Sequence, residues 1–369
     1  MEKEKIKLFP DELPAPRGVR AARRSPRRLR ALRLAVLCAC IFALGVLFSE
    51  AVNNGTIKLP EFVHSLNGGQ GTTSSGGGET AGGAPDPEPS PDENVFDPDS
   101  IYEFDYSLIK EGETAIIPAD LSLSEYGDTY IYNDTAFSPD LQALLDKDIS
   151  FPTPDSADAP LVLIIHTHTS EAYSKEGQIA CSDDGEYARS DDAEENVIAV
   201  GAVIAEMLNE KGIKTLHCVK SHDKSYKDSY ARSAETVEYY LNKYPSIKYV
   251  FDVHRDSIIK SSGEIVRPVA AANGGAAAQI MCVVGTDQLG KDYKWEQNLS
   301  LALKIRSSLN EKYGNLARGT CLRATSYNQE LAPISLLFEI GAGGNSLSEA
   351  KAAARLLALE LAEIIGAER

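Results

Sequence analysis

Several enzyme signatures are missing from this chain. It has no Gly-x-Ser-x-Gly elbow, no Gly-x-x-x-x-Gly-Lys-Ser/Thr loop and no strand-linked Gly-x-Gly-x-x-Gly. Serine hydrolases of the elbow type, P-loop nucleotide hydrolases and dinucleotide-binding oxidoreductases are therefore poor fits. Cysteine is scarce, at six in 369 residues, and no Cys-x-x-Cys pair occurs. Cys38 and Cys40 fall in an apolar run. Cys181, Cys218, Cys282 and Cys321 are too scattered for a disulfide scaffold and read as unpaired, mostly buried thiols. Positive charge is in deficit: 37 basic residues against 54 acidic ones leave a net −17. A nucleic-acid binder needs a basic footprint to displace counterions, so that class is excluded.

What is present is ordinary in bulk and uneven in place. At 43% hydrophobic and 25% charged residues, the chain can bury a core. Residues 1–33, however, carry 11 Lys/Arg and 4 Asp/Glu, so the whole acidic excess lies beyond them. Opposite signs suggest two compartments. The run LAVLCACIFALGVLF at 34–48 is uncharged. As a helix it spans about 22 Å, a little short of the ~30 Å hydrocarbon core. Ala31, Leu32 and Ser49 lengthen it if Arg33 snorkels to the interface. With the arginines before it, this predicts one membrane helix over 34–49, a basic cytoplasmic tail over 1–33, and everything later outside the cytoplasm. A cleaved signal peptide is the alternative, and the long basic region before the run argues against it.

Residues 50–100 read as a linker. Its stretch 67–98 is Gly, Ser, Thr, Pro and acid, and cannot bury enough apolar surface to offset chain entropy. Residues 101–157 differ, with Tyr102, Phe104, Ile116, Ile117, Tyr130, Ile131 and Tyr132. Short strands and a helix over 139–145, capped by Ser138, are expected there. This is too little for an independent domain, so the segment is expected to pack as an arm on residues 158–369.

From 158 to 369 the pattern is regular. Apolar runs at 161–166, 213–218, 247–254, 265–270, 278–284 and 334–340 predict strands, the first and last buried on both faces. Amphipathic segments at 196–211, 230–243, 294–313 and 347–365 predict helices, with Gly212 placed to end the first. Asn273-Gly274-Gly275 predicts a tight turn between the fourth and fifth strands. Strands alternating with helices mean an α/β fold: a mostly parallel sheet flanked by helices on both faces. Ligands in such folds sit outside the C-terminal strand ends.

Three predicted strands end in ligand-type residues. The first ends in His166-Thr167-His168, followed by Glu171; the third in Asp252-Val253-His254-Arg255-Asp256; the last in Glu339. Two imidazoles and a carboxylate suit Zn²⁺, with a fourth position open. His166 and His168 share a face if the strand runs through both, and either could be the ligand. His217 and His222 read as surface or loop residues, and the acidic run 183–195 as a solvated loop.

The runs IIHTHTSEAY at 164–173, FDVHRDS at 251–257, SYNQEL at 326–331 and LLFEIGAGGNSLSEA at 336–350 resemble the stage II sporulation protein P family. The resemblance covers about residues 110–369. It implies a zinc hydrolase fold like that of N-acetylmuramoyl-L-alanine amidases, and an anchored peptidoglycan hydrolase acting in septal wall remodelling and engulfment during sporulation. It implies removal of stem peptides from glycan, with a further endopeptidase activity on cross-links, and partnership with stage II sporulation proteins D and M. Carried over, His168 and His254 would hold zinc with Glu171 as third ligand, and Glu339 would be the catalytic carboxylate. His166 and Glu195 are the alternative ligands. Arg255, Asn298, Tyr327, Asn328 and Gln329 would bind substrate. A vegetative cell-separation amidase and an inactive peptidoglycan-binding scaffold are the competing readings.

Overall fold

The computed structural model describes residues 96–366, apart from 124–126, 149–155, 157, 183–188 and 291–292. The basic tail, the expected membrane helix at 34–49 and most of the linker lie outside the described residues. Among those described, no helix is long and apolar enough to cross a membrane.

Eleven strands are described: β1 (Glu113–Ala119), β2 (Ile131–Asn133), β3 (Val162–Ile165), β4 (Ala180–Ser182), β5 (Thr215–His217), β6 (Tyr249–Asp256), β7 (Ile265–Ala272), β8 (Gly275–Ala278), β9 (Ile280–Gly285), β10 (Thr320–Arg323) and β11 (Ile334–Ala342). The helices are α1 (Leu141–Asp146), α2 (Val197–Glu210), α3 (Ser229–Lys243), α4 (Trp295–Tyr313) and α5 (Leu347–Gly366). Seven strands form one sheet in the order β2-β10-β9-β11-β6-β3-β5. Every neighbouring pair in it is parallel except β9 with β11. Four others form a second sheet, β4-β1-β7-β8.

The alternation of side chains along the strands sorts the core into two faces. On one face Val162, Ile164, Tyr249, Phe251, Leu336 and Phe338 meet α2, α4 and α5 in the main core. On the other, Leu163, Ile165 and Val250 meet Val237 and Tyr240 of α3. Farther along that second face, Met281, Val283, Cys321 and Leu337 form a separate small cluster, with Tyr327 packed against it. A single helix covers this face, and the part it leaves bare becomes the floor of a cavity.

Two predicted boundaries move. The turn at 273–275 forms, with Asn273 and Gly274 both at positive φ, but it joins β7 to β8 within the second sheet. The apolar run at 278–284 is divided: Ala278 ends β8, and Ile280 starts β9 in the main sheet. The helix expected at 139–145 starts at Leu141, because Asp140, not Ser138, accepts a hydrogen bond from the Ala143 amide at 3.0 Å. Residues 101–148 supply β1 to the second sheet and β2 to the edge of the first. Of the four cysteines among the described residues, Cys218, Cys282 and Cys321 are buried and Cys181 is half-buried.

Candidate active site

The strand-end residues converge. His168, Glu171, His254 and Glu339 line one cavity of about 890 Å³ together with Arg255 and Tyr327. Glu339 lies on β11 directly across from His254 on β6. Both therefore point to the bare face, in line with Leu337 and Asp252. The His168 and His254 rings stand edge to face with centroids 5.4 Å apart.

His254 is held from both sides. Its Nδ1 is 3.2 Å from Glu171 Oε2, and its Nε2 is 3.0 Å from Asp252 Oδ1. Burial opposes charge on the ring, but the carboxylates of Asp252 and Glu171 prevail and raise its pKa well above the usual imidazole value. Asp252 is itself anchored, accepting from the Thr167 amide at 2.8 Å and the Thr167 hydroxyl at 2.6 Å. Against its own burial, His254 and these bonds hold its carboxyl at about 2. Glu171 Oε2 also accepts from the Arg255 amide. It stays below the ordinary carboxylate range because His254 outweighs the effect of burial.

Glu339 differs from both. Its Oε2 is sealed from solvent and has no hydrogen-bond partner among the described residues. Burial is the main cause of a pKa pushed up to about 8, with Asp256 and Glu171 adding to it and His254 acting the other way. Glu171 and Glu339, two carboxylates beside the same imidazole, thus hold their protons differently.

The remaining predicted residues divide. His166 does not share the face of His168. The strand stops at Ile165 and the chain turns through 167–170, so His166 continues the main-core alternation. Its Nδ1 bonds the Val253 carbonyl, and its Nε2 lies 2.8 Å from His217 Nε2. Glu195 is exposed and accepts from the Ser190 hydroxyl. Asn298 is buried on α4, where it accepts from the Ser335 amide. Gln329 clamps the end of β9 through Gly285 N and Val283 O. Asn328 ties its loop to α3 through the Tyr230 carbonyl. These three stabilise the frame of the cavity and are not among the residues that line it. Tyr327 does line it, at φ 54°, with its ring 5.6 Å from that of Tyr230. A positive φ at a bulky residue is strained, and such strain gathers at ligand sites.

His217 ends β5 and is half-buried, while His222 does lie in a loop but not at the surface. His222 is fully buried, bonded to the His166 carbonyl and the Thr236 hydroxyl. Asp252 was placed at its strand end by the sequence but given no role, although it stands two residues before His254 on the same strand face. Sequence reasoning missed Arg189, Tyr230, Arg318 and Arg323, which line the cavity from segments with no motif.

Among the described residues, no three His, Cys, Asp or Glu side chains are grouped ready to hold a metal ion. The donor set is nonetheless of the right kind. His168, Glu171 and His254 offer two imidazoles and a carboxylate in one buried corner, the mixture Zn²⁺ takes. Asp252 stands behind His254 as the outer carboxylate that such imidazoles usually have.

Comparison with known proteins agrees with the motifs. The profile of the family described as Stage II sporulation protein P (SpoIIP) matches residues 126–362. The chain is 30% identical over 219 residues to Stage II sporulation protein P of Bacillus subtilis. That alignment covers 56% of this chain and 51% of the relative, so the chain spans about half the length of the curated protein it matches. Among solved structures, it is similar to the N-acetylmuramyl-L-alanine amidase Ami1 of Mycobacterium abscessus. There identity is 15%, with a TM-score of 0.34, over 57% of this chain and 98% of the other. It is also similar to the CwlD amidase of Clostridioides difficile, solved in complex with the GerS lipoprotein. There identity is 10%, with a TM-score of 0.36, over 56% of this chain and 99% of the other. With more than half of its length matched by the family profile and the family's runs meeting at one cavity, the chain belongs to the stage II sporulation protein P family.

Proposed function

We propose that this chain is a zinc-dependent peptidoglycan hydrolase that cleaves the amide joining stem peptide to glycan, in wall remodelling during sporulation. The observation that supports this reading best is Glu339: a carboxylate with an unpartnered, sealed oxygen in the same cavity as His168, Glu171 and His254.

His168, Glu171 and His254 would hold the ion. Bound there, Zn²⁺ supplies Lewis-acid polarisation of the scissile carbonyl and of the attacking water. Glu339, whose pKa burial pushes up to about 8, would be favoured in its charged form by a cation held there. Glu339 then takes the proton of the water and returns it to the leaving nitrogen, which an amide needs in order to depart. Asp252 keeps the Nε2 edge of His254 turned away, so that the Nδ1 edge faces Glu171. Tyr230 and Tyr327 offer aromatic faces beside this corner. In this reading residues 34–49 anchor the enzyme in the membrane with its cavity outside, and stage II sporulation proteins D and M are its partners. An endopeptidase activity on cross-links would use the same groups.

The test is Glu339→Gln, which keeps size but cannot accept a proton. The variant is expected to hold as much zinc as wild type and to sediment with peptidoglycan. Its release of stem peptide should fall about 10²–10⁴-fold. A rate within about threefold of wild type at equal zinc would remove Glu339 from the chemistry. Wild type that binds zinc and peptidoglycan yet releases nothing would leave the binding-scaffold reading in its place.

A further inference from the structure

The cavity is rich in arginine, of which the motifs singled out only Arg255. The described residues contain eight arginines, and four of them, Arg189, Arg255, Arg318 and Arg323, line it; no lysine does. In a chain of net charge −17 these four stand among only three lining carboxylates, Glu171, Asp256 and Glu339. Arginine in preference to lysine indicates a planar, two-oxygen anion, which the guanidinium fork meets bidentately.

Two of the four are committed to the frame or to the far rim. Arg255 donates through Nε to the Ala172 carbonyl. Arg189 sits beside Ser170 and Asp223. Arg318 is different. Its side chain is 9% exposed, and among the described residues only its Nη1 is engaged, on Asp256 Oδ2 at 2.9 Å. Its Nε is buried with no partner. A desolvated guanidinium with most of its donors unused is costly unless something else completes it. Arg323, 41% exposed, stands farther along the same edge, steadied by Asp134 beyond β2.

The register places these groups relative to the chemistry. Glu339 on β11 pairs with Met281 on β9, and Ala317 bridges Ile280 in parallel. Arg318 is therefore level with Met281, and Glu339, Met281 and Arg318 form one cross-strand row on the bare face. Two strand spacings put the Glu339 and Arg318 backbones about 10 Å apart. An extended peptide covers about 3.3–3.6 Å per residue, so that gap corresponds to roughly two to three residues. The floor between them is apolar: Met281, Val283, Cys321 and Leu337.

We infer that Arg318, held by Asp256, forms with Arg323 a subsite for a carboxylate on the peptide side of the substrate, two or three residues from the bond that is cut. The inference rests on the peptidoglycan reading for the identity of that peptide. Acidic stem peptides, whose γ-linked glutamate carries a free α-carboxylate, have the chemistry the subsite selects.

Calorimetric binding to the full-length chain tests it without requiring turnover. The probes are the free tripeptide L-Ala–γ-D-Glu–L-Lys and the same peptide with the glutamate α-carboxylate converted to the carboxamide. Wild type is expected to bind the acid at least about tenfold more tightly, the scale of one charged hydrogen-bond pair. Arg323→Gln and Arg318→Gln should each weaken the acid about 10- to 100-fold and leave the carboxamide unchanged. Arg318→Lys, which keeps charge in the buried position, should lose part of the discrimination. Equal affinity of wild type for the two peptides, or an equal loss of both in the well-folded Arg323→Gln protein, would overturn the subsite. Cleavage of glycan-linked peptide is followed in parallel. Discrimination without cleavage would keep the subsite and remove the amidase reading, and cleavage without discrimination would do the reverse.

Discussion

At the scale of residues, the site is a set of charges whose protons are decided by neighbours. Asp252 is the residue with the widest reach, because it fixes both Thr167 and the Nε2 edge of His254. Asp252→Asn should weaken zinc binding about 10–100-fold, the usual loss when the carboxylate behind a ligating imidazole is removed. Zinc titration of the folded variant checks this, and unchanged affinity would limit Asp252 to holding the loop. Behind the sheet, burial drives His166 down to about 3 and His217 to about 4, so both are neutral when folded. The unfolded chain takes up their protons below about pH 6.5. Stability is therefore fully present above that pH and falls as pH drops toward 4, by about 1.4 kcal/mol per pH unit for each histidine. Denaturant titrations between pH 7.5 and 5 should show this slope, and His217→Gln should reduce it. An identical slope in the variant would exclude the pair as its source. His168, His254, Glu171 and Glu339 were legible as ligand-type residues at strand ends. The partition between His166 and His168 was not, since it depends on the strand stopping at Ile165 and on nothing local to either histidine.

At the scale of elements, periodicity identified α2 to α5 to within a residue or two, because a 3.6-residue apolar stripe is a property of the backbone helix itself. Contacts between elements left no such trace. Gly201 lies within α2, where alanine would ordinarily gain up to about 1 kcal/mol in helix propensity. Here a Cβ would stand 2.5 Å from His166 Cε1 and 2.6 Å from His166 Nε2. His166 is pinned at both nitrogens and cannot move aside. Overpacking of this kind costs about 1–3 kcal/mol, so steric cost prevails and Gly201→Ala is expected to be destabilised. Equilibrium unfolding measures the sign, and a more stable variant would show that α2 shifts freely on the sheet. Strands β2, β4 and β10 are three or four residues long. Each is too short for alternation to stand out, and with β10 the arginine edge of the cavity was lost to view.

At the scale of the whole molecule, the described residues before 158 are part of the architecture. β1 lies between β4 and β7, and β2 completes the β10 edge, bringing Tyr132 to the cavity. α1 packs on α4, where Phe137 meets Trp295 at 5.0 Å between centroids. A chain starting at residue 96 is expected to unfold cooperatively. One starting at 158 loses two strands and tears open the β7 edge at Ile265 and Val266 and the β10 edge at Thr320 and Cys321. A loss of several kcal/mol at this size lowers the melting temperature by about 10 °C or more. Equal melting temperatures would mean that the arm rests on the surface only.

The sequence by itself determined the class of the fold, the alternation of strands and helices, and the three strand ends whose residues converge. Hydrophobic period and strand polarity are local quantities, and together they place the C-terminal ends of parallel strands on one edge. Tertiary structure decided which face of that edge is open. α2, α4 and α5 close one side, and α3 covers only part of the other, so Glu339, His254 and Leu337 face a cavity while Phe338 and Val253 face the core. It also set β9 between β10 and β11, parallel to the first and antiparallel to the second. That insertion brings Arg318 level with Glu339 although 21 positions separate them in the chain, because strand order is chosen by how whole faces bury one another and not by any pattern within a strand.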